Sequence, residues 1–262
     1  MGFSQAELLE EVLVRPREAA VLAPDTQVIA RPGWLQLITP SLPLGGLNEV
    51  ALSVLEEADA ERVIDETLAE YARLGLRFRW LVGPDSRPLD LGQRLLRRGL
   101  HHEASLGMAR ETAGVDAEDP AEVRVEVVDE ASVDLFSDVM AAGWSSPPQY
   151  ELNRALLAPR AADGGARFVH FLGRHRGEAA AAASLCVYPR SAYLMGAVVL
   201  PAAQHRGLYR ALVHARLRHA AARGIALCTS QSRKATSAPI LTHLGFTTVC
   251  AVDFYLSEPY HR

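Results

Sequence analysis

A chain of 262 residues is longer than one modest core usually needs, so two domains are expected. Its hydrophobic share of 49% and charged share of 22% are ordinary for a globular protein. A net charge of −4 argues against nucleic acid as a main partner, because such proteins carry basic patches that meet phosphates. Cys186, Cys228 and Cys250 have no CxxC or Cys/His metal spacing and lie in apolar runs. They read as small core residues of a reducing compartment, and no metal centre is expected. No run reaches bilayer length, and MGFSQAELLEEV lacks the basic start and long apolar stretch of a secretory signal. A cytoplasmic protein with no membrane partner is the expectation.

In chain order, residues 4 to 14 read as an amphipathic helix with Leu8, Leu9, Val12 and Leu13 on one face. Strands follow at Val28–Ala30, Trp34–Ile38 and, beyond a Pro/Gly-rich loop, Asn48–Leu55. Asp59 starts a helix that Gly75 ends. RFRWLV (77–82) is a strand, Asp90–Arg98 a helix stopped by Gly99, and His101–Ala109 a closing strand. RETAGVDAEDP, from Arg110 to Pro120, is small and polar and reads as the linker, giving domains 1–115 and 116–262.

The second half opens with strand Val123–Val128, helices near 131–142 and 150–157, and a hairpin turning at His175-Arg176-Gly177. Ala192 to Leu200 is a small, β-branched run that reads as a buried strand, ended by Pro201. Gln204-His205-Arg206-Gly207-Leu208-Tyr209-Arg210 follows and opens a helix that Gly224 ends. A glycine turn between strand and helix suits an anion, since the first helical amides lack intrahelical partners and the dipole favours negative charge. Gly207 is expected to let backbone approach a ligand, with Arg206 and Arg210 adding charge. Strand Ile225–Ser230, helix Ser237–Leu244 and strand Thr247–Leu256 complete the chain.

The halves share an order of elements: Gly75, Ser86-Arg87 and Gly99-Leu100 answer Gly224, Ser232-Arg233 and Gly245-Phe246. This reads as a duplication with one informative difference. Where the second half has QHRGLYR, the first has EEADAER, whose Glu56, Glu57, Asp59 and Glu61 would repel a phosphate. Only the second copy is expected to hold an anionic ligand.

Val123 to Leu256 resembles the GNAT superfamily of N-acetyltransferases. Gln204, Gly207 and Tyr209 fall on its Gln/Arg-x-x-Gly-x-Gly/Ala turn, with tyrosine in place of the last small residue. SAPILTHLGF, from Ser237 to Phe246, matches its short helix ending in Leu-Gly-Phe. The first half is similar to a degenerate copy. The resemblance implies an α/β (α+β) chain of two tandem GNAT-like domains, each a mixed, strongly twisted sheet flanked by helices. It implies acetyl-CoA as co-substrate, its pyrophosphate on the amides of Gln204, His205, Arg206, Gly207, Leu208, Tyr209 and Arg210. It places pantetheine along Val198, Val199 and Leu200. The family's acid tyrosine, four residues before the helix-ending glycine, corresponds to Leu241 here, which leaves Ser237 and Tyr255 as the nearest substitutes. The central strand lacks the glutamate that some relatives use as base. Trp144 reads equally as core or as a wall of the acceptor site.

The function expected is transfer of an acetyl group to a primary amine of a small molecule within a ternary complex, no cysteine being placed as an acyl carrier. A non-catalytic acyl-CoA-binding or sensing protein, and an acetyltransferase acting on a protein amine, are the alternatives. The acceptor and the oligomeric state, a homodimer included, are open at this level.

Overall fold

The computed structural model describes residues 2–18, 23–44, 46–115, 118–157 and 168–258. Residues 116 and 117 of the expected linker lie outside them. The chain forms two compact units: one of Met1–Val12, Met108–Ser230 and Ile240–Thr247, the other of Leu13–Gly107, Gln231–Pro239 and Thr248–Arg262.

The chain opens with α1 (Gln5–Leu9), one π-helical turn (Glu10–Val14) and α2 (Arg15–Glu18). The elements β1 (Gln27–Arg31), β2 (Trp34–Ile38), β3 (Glu49–Ser53), α3 (Ala60–Leu74), β4 (Arg79–Val82) and α4 (Leu91–Arg97) follow. The expected closing strand is two strands, β5 (His101–Glu103) and β6 (Ser105–Glu111). The second half holds β7 (Val123–Val127), α5 (Val133–Trp144), α6 (Tyr150–Leu157), β8 (Phe168–His175), β9 (Glu178–Val187) and β10 (Ser191–Val199). A 3₁₀ turn (Pro201–Ala203) leads to α7 (Leu208–Ala222), β11 (Leu227–Arg233) and α8 (Ser237–His243). The expected last strand is again two, β12 (Thr247–Ala251) and β13 (Asp253–Leu256).

These strands make two mixed sheets with helices against them. One has the order β1-β2-β3-β4-β13-β5, the other β12-β6-β11-β10-β9-β8-β7. Sheet membership departs from chain order at two places: β6 stands in the seven-stranded sheet and β13 in the six-stranded one. The breaks at Ala104 and Val252 are what allow this.

The six-stranded sheet is held by aromatic packing. Trp34 and Trp80 meet edge to face at 5.6 Å, and Tyr71 stacks on Phe78 at 4.1 Å. Each polar tip has a partner: the Tyr71 hydroxyl donates to Leu37 O at 2.6 Å, and Trp80 Nε1 donates to Ser53 Oγ at 2.9 Å. Gly75 ends α3 in the left-handed conformation expected of it, at φ 66.

In the other unit, Val133, Phe136 and Val139 of α5 pack with Leu172, Ala182 and Val198 on one face of the sheet. α7 packs against β8, β9 and β10, its Leu208, Leu212 and Leu217 buried. The α5 contact is close. A Cβ on Gly143 would lie 2.5 Å from Val198 Cβ and 2.7 Å from its Cγ1. Helix propensity alone favours Gly143→Ala by about 1 kcal/mol, whereas overpacking costs about 1–3 kcal/mol. The expected outcome is net destabilisation, seen as a lower urea midpoint with an unchanged slope; a midpoint raised by the alanine would refute the close packing.

Candidate functional site

β10 carries the candidate site because its two edges are treated differently. Toward β9 it is paired from Ala192↔Val187 to Val199↔Ala181, and Leu200 N extends this with a 2.8 Å bond to Ala180 O. Toward β11 the parallel ladder holds only Ser191↔Leu227, Ala192↔Cys228 and Tyr193↔Thr229. Beyond Tyr193, β10 runs on to Val199 with no ladder on that edge among the described residues. A bulge falls between Met195 and Ala197, where Gly196 takes φ 43. Backbone groups of successive residues point to opposite edges of a strand. Leu200 faces β9, so Val199 is the residue of the Val198–Leu200 trio whose backbone faces the open edge. Its carbonyl has one long contact, from Gln204 Nε2 at 3.5 Å.

The turn after β10 ends in an uncapped helix. His205 has φ 62 and Gly207 φ 86, both left-handed, and Gly207 is the N-cap of α7 with no side-chain capping bond. The Ala211 amide is bonded to Gly207 O at 3.0 Å, so the amides of Leu208, Tyr209 and Arg210 precede the first such intrahelical bond. No acidic residue lies in the first turn, and Gln204, His205, Arg206 and Arg210 are exposed. Leu208 anchors the turn in the core at 1% exposure; Tyr209 is half-buried.

Gly207 has a different neighbour from the one expected. A Cβ there would lie 2.9 Å from Pro120 Cγ, so the glycine admits the linker as well as the left-handed φ. Asp119, next to that proline, holds His214 Nδ1 at 3.0 Å and Arg218 Nη2 at 2.8 Å, which ties the linker along α7.

The corresponding helix start in the other unit is already neutralised. Arg94 of α4 bonds Glu57, Glu61 (2.8 Å) and Asp90 (2.8 Å), while Arg98 bonds Glu61 (2.5 Å) and Asp65 (2.5 Å). Glu57 and Glu61 thus meet arginines at the end of α4, and Asp59 pairs with Arg62 of α3 itself at 2.8 Å, so this helix start is occupied by the chain's own ion pairs.

Several groups invisible as site residues in the sequence lie on β8, β9 and the helices packed on them. His170 of β8 is 1% exposed, stacks on Phe136 at 4.4 Å and shares a 2.8 Å hydrogen bond between Nδ1 and Ser184 Oγ. Its Nε2 is buried without a hydrogen-bond partner among the described residues, and burial pushes its pKa down to about 4. Arg216 of α7 is fully buried, donating from Nε to Leu212 O (3.0 Å) and from Nη1 to Ser184 O (3.3 Å). Ser184 is the β9 residue opposite Met195, where the bulge begins. Desolvation lowers the Arg216 pKa to about 10, which leaves it charged at neutral pH. Trp144, the last residue of α5, is 38% exposed.

The two acid substitutes sit elsewhere. Ser237 begins α8 in the unit of the six-stranded sheet. Tyr255 lies in β13 of that unit, 7% exposed within the cluster of Trp34, Trp80, Leu91 and Leu95, and stacks on His102 at 5.1 Å. Its hydroxyl occupies the space a side chain on Gly92 would need, and burial pushes its pKa up. Tyr255 is therefore a packing residue of that core. Leu241, at the tyrosine position of the resemblance, is fully buried. Cys186, Cys228 and Cys250 are not joined in disulfides, and among the described residues no His/Cys/Asp/Glu group is arranged to hold a metal. No helix among them is long and apolar enough to cross a membrane.

A family model described as an acetyltransferase (GNAT) domain matches residues 96–229, about half of the chain. A GCN5-related N-acetyltransferase from Kribbella flavida aligns over 99% of this chain and 97% of its own, with a TM-score of 0.66 at 15% identity. A functionally unknown conserved protein from Staphylococcus epidermidis aligns over 90% and 95%, with a TM-score of 0.66 at 11% identity. A tandem GNAT protein from the clavulanic acid biosynthesis pathway aligns over 97% and 95%, with a TM-score of 0.54 at 15% identity. These likenesses show the fold. No curated protein matches the chain.

The His170 environment makes stability depend on pH. In the folded chain the ring takes its proton near pH 4, and in the unfolded chain near 6.5. Between these values the unfolded state holds more protons, so stability falls as pH drops from 6.5 toward 4, by on the order of 3 kcal/mol in all. Chemical denaturation at pH 7 and pH 5 should show a smaller loss for His170→Gln than for the parent; equal losses would place the titration elsewhere.

Proposed function

Because the chain belongs to the GNAT acetyltransferase family, we propose that its second half, 116–262, binds acetyl-CoA and transfers the acetyl group to a primary amine of a small molecule. The observation that carries the reading is the uncapped start of α7 beside the open edge of β10. Amides from His205 to Arg210 would take the pyrophosphate, that of Gln204 being bonded to Pro201 O at 3.3 Å, with Arg206 and Arg210 adding charge. The open edge at Val198–Leu200 would take the pantetheine amides, Val199 providing the backbone groups that face it.

Transfer then makes a C–N bond and breaks the C–S bond, with the thioester oxygen gaining charge in between. Backbone N–H groups at the β10 bulge would meet that charge, and the buried Arg216 cation behind Ser184 adds to the favourable field. The acceptor nitrogen must lose a proton and the departing sulfur must gain one. Direct transfer in a ternary complex is supported by the thiols: burial raises Cys228 to about 12 and Cys250 to about 11, so neither is a ready nucleophile. We place the amine near Trp144, at the exposed end of α5.

A second reading has its own observation. With Leu241 buried and Tyr255 packed in a core, proton return to sulfur has no assigned side chain, which favours an acyl-CoA-binding sensor. Thiol release from acetyl-CoA against a panel of primary amines and an amine-bearing peptide, beside calorimetric binding, separates these. Turnover with a small amine supports the transferase. Turnover only with the peptide supports a protein acceptor, and binding without turnover supports the sensor. Arg206→Glu with Arg210→Glu should weaken acetyl-CoA binding by about tenfold or more, since each exchange sets a carboxylate against phosphate. Unchanged affinity would sink the assignment of this turn.

A further inference from the structure

The N-terminal segment reaches the central strands of the seven-stranded sheet. Glu11, in the π-helical turn, is 1% exposed. Its Oε2 accepts a 2.5 Å hydrogen bond from Ser191 Oγ on β10, and its carbonyl accepts one from Thr229 Oγ1 on β11 at 3.4 Å. Ser191 and Thr229 are both fully buried. They belong to the first and last of the three pairs that join β10 to β11, so one residue bridges both strands across the whole of that short ladder. A second grip lies one turn earlier. Glu7, whose other oxygen closes the capping box with Ser4, pairs with Arg190 at 2.6 Å, and the Arg190 guanidinium lies 5.2 Å from the Phe3 ring centre.

We infer that Glu11 is a positioning residue for the acyl-CoA cleft: it staples β10 to β11 at the point where the two strands part. Three parallel pairs are a weak join by themselves. Without the staple, the ladder can fray back toward Ser191 or zip forward along β10. Forward pairing would consume the backbone groups of the open edge that Val199 presents. A charged acceptor on a hydroxyl makes one of the stronger hydrogen bonds available, and the buried carboxylate would be costly to leave unmatched. The inference rests on the reading of that edge as the acetyl-CoA site.

Glu11→Ala, Glu11→Gln and Ser191→Ala, each in the full chain, test it by two readouts. The first needs no ligand: amide hydrogen exchange at residues 191–193 and 227–229. The second is the acetyl-CoA dissociation constant, with the Michaelis constant for the amine measured beside it. Glu11→Ala should speed exchange at the ladder and weaken acetyl-CoA by about tenfold, the scale of one charged hydrogen bond. The amine constant should stay unchanged, which general destabilisation would not predict. Glu11→Gln retains an acceptor oxygen and should fall between the parent and Glu11→Ala. Ser191→Ala should match Glu11→Ala and cost nothing further in the double variant. Ladder exchange and acetyl-CoA affinity at parental values in Ser191→Ala and Glu11→Gln would overturn the staple, even if Glu11→Ala failed to fold. If the parent bound no acetyl-CoA while Ser191→Ala still loosened the ladder, the cofactor reading would fail and the staple would stand.

Discussion

Backbone amides and carbonyls inside a sheet need partners, and the parallel ladder between β10 and β11 stops after Tyr193↔Thr229 with six residues of β10 still to come. Much of the surrounding structure answers that interruption. On the other edge β9 resumes pairing after the bulge, through Val199↔Ala181 and on to Leu200, so one edge stays paired while the other is presented outward. Gly143 lets α5 press directly on Val198. Arg216 brings a guanidinium to Ser184 O opposite the bulge, so a cation, rather than a second carbonyl-bonded strand, completes that position. A buried arginine is expensive to keep, and its neighbours here are carbonyl oxygens that match its donors without cancelling its charge.

The two helix starts answer the same dipole with opposite local charge. α7 begins with no acidic residue in its first turn and no capping side chain, flanked by Arg206 and Arg210. α3 begins among Glu57, Asp59 and Glu61; Arg94 of α4 and Arg98 just after it meet the two glutamates, and Arg62 meets Asp59. Both solutions satisfy the same dipole, one by leaving it open to an anion and one by closing it with the chain's own carboxylates. The bidentate geometry of arginine makes the closed version stable in place: Arg94 alone reaches three acidic groups.

The strand, turn and helix of the second half were legible because each rests on local chemistry: β-branched periodicity, a proline stop, a glycine at left-handed φ. The duplication was legible for the same reason, as was the acidic contrast at α3. What stayed hidden depends on contacts between residues far apart in the chain. Gly207 reads as a ligand-approach glycine, and nothing in the sequence says that Pro120 fills that space. Glu11 falls on the polar side of an ideal helix over 4 to 14. In the fold it lies in the π turn at Glu10–Val14, buried and bonded to Ser191, 180 residues away. Tyr255 reads as an available hydroxyl near the Leu-Gly-Phe helix, whereas β13 carries it into an aromatic core. His170 lies in an apolar run, while Arg216 reads with Arg210 and Arg218 as the polar face of its helix, and only its burial sets it apart from them.

The same limit governs the strand breaks at Ala104 and Val252. Each predicted strand has the composition of one continuous strand, yet its two parts pair in different sheets. β13 lies between β4 and β5, and β6 lies between β12 and β11, so each is an interior strand with partners on both edges. A sequence cut at the linker would take β13 away from β4 and β5, and β6 away from β11 and β12. In each case two inner edges would be exposed at once, and unpaired edges are what drive strands to associate with other chains. The repeat seen in the sequence is thus a repeat of elements, whereas the sheets that those elements build each require strands from both halves.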